Sequence, residues 1–194
     1  MKKTKAYQTL YQHNPDSQAY MIEISLDDYS ELFNGWDASS IKRREIEPEL
    51  LDYIEQAGNE IPLKENLEVV FYLSPEKRET DKEVKSIDGI KNNFKVLLYM
   101  INKTLNTQYR HVFIYLTISM GLITAATFLR NAGEFQILST ILIEGLFIGG
   151  WFMLWEAFST FFFDAYDTRL RKKVFQRFIE SNVCFKDTRI ESQK

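Results

Sequence analysis

The sequence predicts an α+β membrane protein: a small cytosolic α/β domain of two to three strands with helices, a long amphipathic stalk helix, and a two-helix transmembrane hairpin. Three observations predict it. Two apolar runs of span length, residues 112–129 and 137–155, are separated by a short connection. Basic residues gather on the outer flank of each run. The remaining chain shows strand-like and helix-like periodicities bounded by turn signals.

Residues 112–129 hold no charge, and 13 of those 18 positions are apolar or glycine. Residues 137–155 hold one charge, Glu144. At about 1.5 Å per residue each run covers roughly 27–28 Å, close to the hydrocarbon thickness of a bilayer. A connection this short makes the two helices antiparallel neighbours. The 20 residues before His111 carry Lys91, Lys95, Lys103 and Arg110 with no acid, and Arg169, Arg171, Lys172 and Lys173 follow the second run. The connection offers Arg130 alone. By the positive-inside rule both flanks are cytosolic and the loop lies outside. Tyr109, Tyr115, Trp151 and Trp155 fall near the cytosolic interface, where aromatic residues are enriched. The segments expected are a flexible end over 1–18, the α/β domain over 19–78, the stalk over 79–110, transmembrane helices over 111–129 and 137–157 with an extracytoplasmic loop over 130–136, and an interfacial and basic tail over 158–194.

Within the α/β domain, residues 19–25 alternate as a strand with Tyr20, Ile22 and Ile24 on one face. Ser25 and Asp28 open a short helix that Asn34-Gly35 ends. Pro48 opens a second helix to about Gln56, striped by Leu50, Leu51 and Ile54. Residues 67–73 are the most strand-like in the chain, and Ser74-Pro75 breaks them. Thr80 and Glu83 then have capping-box spacing at the head of a long helix, whose seam is Ile87, Ile90, Phe94, Leu97 and Ile101. That seam packs on the domain's own sheet or on a second subunit. Residues 182–186 form a short strand that returns Val183 and Phe185 to the sheet.

Composition excludes several classes. Residues 1–110 carry 15 basic and 19 acidic side chains, and the tail after Glu156 carries 8 and 5, so no dense basic footprint for nucleic acid exists. Mean hydropathy is only −0.28 because charged flanks offset the apolar runs. Cys184 is the single cysteine, which forbids an internal disulfide and suits a reducing compartment. His13 and His111 have no ligand spacing with it, so no metal site is expected, and no cofactor is implied. No phosphate-binding loop, dinucleotide fingerprint, nucleophile elbow or metalloprotease helix is present, and no catalytic residue is assigned.

The candidate functional residues lie in the apolar runs and at their ends. Glu144 sits about 10 Å from the outer end of its helix, at a depth where an ionised carboxylate is costly. It is either a protonated side chain bonded to Thr124 on the first helix, with Thr140 one turn away, or part of an ion path, or a contact with another subunit. Gly145 and Gly149 have GxxxG spacing with Gly150 beside them, and Ser119, Gly121, Ala125 and Ala126 supply small residues on the first helix. Lys103, Arg110, Arg169, Arg171, Lys172 and Lys173 are the basic set at the membrane surface. Phe33, Trp36 and Asp37 form a ligand or partner surface, or Trp36 packs on the core of the small domain.

The blocks YMIEISLDDY at Tyr20, FNGWD at Phe33, IPLK at Ile61, VVFYL at Val69, EGLFIGGW at Glu144 and Trp155-Glu156 resemble, in the same order, a family of uncharacterised bacterial two-transmembrane-helix inner-membrane proteins. The family pattern has more Trp, and a Pro, where this chain reads FDAYD at residues 163–167. The resemblance implies a bacterial inner-membrane setting with both termini cytoplasmic and supplies no activity. The function expected is a membrane-anchored interaction or regulatory module rather than an enzyme, its partners being membrane lipid and a second copy or another protein. A homo-oligomeric channel or transport component built on Glu144 is the alternative.

Overall fold

The computed structural model describes residues 6–131 and 137–188. The expected extracytoplasmic loop lies outside the described residues except for Arg130 and Asn131. The protein is α+β, with a four-stranded mixed sheet and long helices, two of them long and apolar enough to cross a membrane. The chain divides into two compact units, Met1–Tyr99 with Lys172–Lys194, and Met100–Arg171.

The first unit contains α1 (Ala6–Leu10), β1 (His13–Asn14), β2 (Ala19–Ser25), a 3-10 turn (Tyr29–Leu32), α2 (Pro48–Glu60), β3 (Asn66–Leu73) and β4 (Asn182–Asp187). The start of α3 (Thr80–Asn131) and the end of α5 (Ala165–Glu180) complete it. Strand order is β1-β2-β3-β4, with β1 antiparallel to β2 and the other pairs parallel. Register puts Ile22 beside Val69 and Val69 beside Val183, so Tyr20, Ile22, Ile24, Leu67, Val69, Phe71, Val183 and Phe185 share one face. Ile22, Val69 and Phe71 have no exposed surface, which requires a covering layer. Buried Ile54 of α2, Ile90 and Phe94 of α3, and Phe175 and Phe178 of α5 supply it. Phe94 meets Phe175 and Phe178 with ring centroids 6.1 and 5.3 Å apart. The helical seam through Ile90 and Phe94 therefore packs inside its own unit.

The sequence departs from these elements in three places. Residues 6–18, expected to be flexible, are folded: Tyr7 is buried against the Tyr20 ring, its hydroxyl donates to Glu65, and β1 adds the fourth strand. A two-residue strand is too short to show a period of two. Asp28 itself caps the 3-10 turn by accepting from the Ser30 amide. Trp36 is 97% exposed while Phe33 is buried, so Trp36 takes no part in the core. The carboxylate of Asp37 shapes that loop, accepting from the Ser39 amide and hydroxyl and from the Glu45 amide.

The second unit holds the rest of α3, α4 (Ile137–Ser159), a π-turn (Thr160–Asp164) and the first residues of α5. No break separates the amphipathic part of α3 from its apolar part.

Candidate functional site

Two places bring functional groups together, one in each unit. The first is a cavity of about 340 Å³ at the strand starts, with Ser17, Glu65, Glu68, Arg177, Glu180 and Asn182 among its walls. Glu68 is 3% exposed on the sheet face opposite the aromatic core. It accepts from Asn14 (2.9 Å), Ser17 (3.4 Å) and Asn182 (2.6 Å), with the Cys184 thiol at 4.0 Å. Burial alone would raise its pKa, but the bonds from Asn14 and Asn182, the Lys186 charge and the Ser17 bond outweigh it and hold the carboxyl below its usual range. Arg177 donates to Gly58 and Ile61 carbonyls (3.2 and 3.1 Å) and to the Glu65 carbonyl (2.9 Å), satisfying the last turn of α2. Burial lowers its pKa against the opposing pull of Glu65. Glu68 and Arg177 are thus engaged in holding the fold, with the buried Arg177 Nε left without a hydrogen-bond partner.

The second place is the helix pair. Leu105, Ser119 and Ala126 are buried on α3 and Val112 is half-buried, each seven residues from the next. On α4 the buried positions Ile143, Gly150 and Ala157 are also seven apart. Ser119 Oγ donates to the Gly150 carbonyl at 2.8 Å. A Cβ on Gly150 would come within 2.6 Å of Ile123 Cγ1, so only glycine permits this approach. Seven residues back along α3 and seven on along α4, Val112 and Ala157 line one groove, as an antiparallel pair requires. A strict seven-residue period is that of a left-handed pair.

Within the helix pair the close approach falls at Gly150, beside the GxxxG glycines rather than on them. Gly145 and Gly121 have nothing within 4 Å of an added Cβ, and Gly149 meets only Leu122 at 3.8 Å. Ala125 is exposed and Ala126 buried. Glu144, Thr124 and Thr140 are all exposed, and no hydrogen bond joins them. Among the surface basic residues, Lys103, Arg110, Arg171 and Lys173 are exposed, while Arg169 and Lys172 are half-buried.

After Ala157 the seam continues at Ala165, eight residues on rather than seven. The π-turn supplies the extra residue, its Ala165 amide bonding the Thr160 carbonyl five positions back. Such an insertion leaves helix carbonyls without their regular partners. Arg169 reaches back over the turn, Nη2 donating to the Phe161 carbonyl (3.2 Å) and Nε to the carbonyl of Ala165, the first residue of α5 (3.0 Å). Thr168 Oγ1 donates to the Asp164 carbonyl (2.9 Å) and accepts from Gln108 Nε2 (3.1 Å). The guanidinium lies over the Phe161 and Tyr109 rings, 5.1 and 5.8 Å from their centroids. Beside the turn runs a groove of about 270 Å³ walled by Val112, Leu116, Ala157, Phe158, Phe161 and Phe162.

Sequence reasoning placed Arg169 in the surface set but missed the π-turn. The available signal was the eight-residue step between small residues at Ala157 and Ala165. Comparison of the chain with known protein families, with curated proteins and with solved structures finds no match.

Proposed function

We propose that this chain is a multi-pass membrane protein whose two apolar helices form a transmembrane hairpin, with both flanks cytosolic, and that its α/β unit is an interaction or regulatory module held at the membrane. The observation that carries the membrane part is the outward face of the helix pair. Only 11% of the most apolar stretch of α3 is buried, and Phe113, Phe128, Ile137, Ile148 and Phe152 are exposed. Surface of this extent and apolarity calls for lipid or another apolar partner. The basic flanks orient it. The regulatory reading draws on the α/β unit, where Glu68 and Arg177 are committed to structural bonds and Trp36 stands free on the surface. A bacterial inner membrane is the setting that the family resemblance suggests.

A second reading, a homo-oligomeric channel or transport component, is favoured by Glu144. This carboxyl group is exposed on the most apolar helix with Gly145 open beside it, so a further helix would cover both.

Extraction from the native membrane into lipid nanodiscs, with mass measurement of everything bound, separates the two. A second protein retained through the α/β unit supports the module. A ring of identical chains whose ion flux falls in Glu144→Gln supports the pore, and a bare monomer with no bound protein counts against both.

A further inference from the structure

We infer that the groove beside the π-turn holds an acyl chain of a membrane phospholipid, with the phosphate on the Arg169 guanidinium; this rests on the membrane-spanning reading above. The groove has a polar end and an apolar end. Along α3, Gln108, Val112 and Leu116 are four residues apart and so share one helix face. Gln108 stands at the Thr168 end, and Val112 and Leu116 continue the wall toward the middle of the apolar run. On the facing segment Arg169 overlies Phe161, itself a wall residue, and Ala157 lies a turn deeper. That order, polar toward the chain's basic flank and apolar toward the bilayer interior, is the order of a phospholipid.

The polar end is pre-shaped for a phosphate. Two of the five guanidinium N–H groups bond the Phe161 and Ala165 carbonyls and the plane rests on two rings, which fixes the remaining donors in place. Guanidinium and phosphate match in geometry as well as charge. Gln108 Oε1, buried without a hydrogen-bond partner, adds to the polarity of this end. Asp164 and Asp167 are exposed on the same segment and offset a general attraction to anions. Recognition therefore depends on the phosphate rather than on the net charge of the lipid.

The test begins with an alkaline carbonate wash of native membranes. The protein is then purified in a non-ionic detergent and titrated, under native mass spectrometry, with dioleoyl phosphatidylglycerol, dioleoyl phosphatidylcholine or dioleoylglycerol. The expected result is one retained molecule of either phospholipid, bound at least about 10-fold tighter than dioleoylglycerol. Leu116→Trp, which fills the groove without touching Arg169, should weaken both phospholipids at least about 10-fold. Arg169→Gln should abolish the preference over dioleoylglycerol, with helix content by circular dichroism checking that the turn survives. Equal binding of the three lipids, or unchanged binding by Leu116→Trp, overturns the proposal. So does a lipid-free dimer that Leu116→Trp dissociates, which would assign the groove to a second copy. Protein that stays in the washed membrane yet binds no phospholipid overturns the lipid site alone. Release by the carbonate wash overturns the membrane reading and the site with it.

Discussion

The two units bury opposite kinds of residue. In the α/β unit the fully buried side chains are large, with Phe71, Phe94, Phe175 and Phe178 at zero exposure. In the helix pair the buried positions are mostly small, Ser119, Ala126, Gly150, Ala157 and Ala165, while Phe113 and Ile137 are 71% and 83% exposed. On the proposed membrane reading, the contrast follows from solvent. In water, removing apolar surface is the dominant driving force, and a large ring contributes most. Among lipid tails that force vanishes, and helices associate by close packing and interhelical hydrogen bonds, which small residues permit.

The largest expected break in this comparison is Phe178→Ala, which should cost the α/β unit about 3–5 kcal/mol. Urea unfolding of the detergent-solubilised chain measures it, and a loss under 1 kcal/mol would mean the aromatic cluster does not hold the core. Next comes Met120→Asp on the outward face of α3. If lipid covers Met120, the change should oppose insertion by about 3 kcal/mol and lower the fraction in carbonate-resistant membranes. An unchanged fraction would put that face in water. Gly150→Val should destabilise the pair by about 1–3 kcal/mol through overpacking, whereas Gly145→Val should be neutral in a chain with no further helix partner. Thermal unfolding of both variants sharpens the contrast, since a large loss at Gly145 would reveal an additional helix on that face.

The smallest effect is a pH dependence in the loop around Trp36. The Ser39 hydroxyl and amide and the Glu45 amide donate to Asp37 and hold its pKa at about 2, below the ordinary 3.8. A carboxyl with a depressed folded pKa contributes stability above its ordinary value, and that contribution is lost as pH falls through the folded one. Amide exchange at Ser39 and Glu45, corrected for intrinsic rates, should show protection that holds above pH 3.8 and fades toward about 2. Asp37→Asn should flatten that profile, and a wild-type profile already flat would mean the loop is held by other contacts.

The elements most legible in sequence were those with a sustained period. Residues 19–25 and 67–73 alternate, the Ile90–Phe94 seam repeats at helical spacing, and the two apolar runs are each long enough to cross a membrane. Less legible features depend on geometry that no local pattern carries. Pairing of His13–Asn14 with β2 needs only two residues. Glu83, read as half of a capping box, is held by Arg78, whose guanidinium also reaches Asp187 across 109 positions of sequence. Four-residue glycine spacing pointed to Gly145 and Gly149, whereas the pair follows a seven-residue period through Gly150. Arg177 gave no signal beyond a positive charge, because its carbonyl partners belong to α2 and the loop after it.

One feature of the sheet bears on how the protein is made. β4 pairs in parallel with β3, yet α3, α4 and α5 separate the two strands in the chain. A ribosome finishes β1, β2 and β3 long before β4 exists, so the nascent α/β unit carries β3 as a bare edge while both apolar helices are being made. The sheet closes only after α3, α4 and α5 have been made. On the proposed membrane reading, closure of this small domain follows insertion of both helices, and a chain left half inserted would expose an unpaired strand that quality-control machinery can recognise.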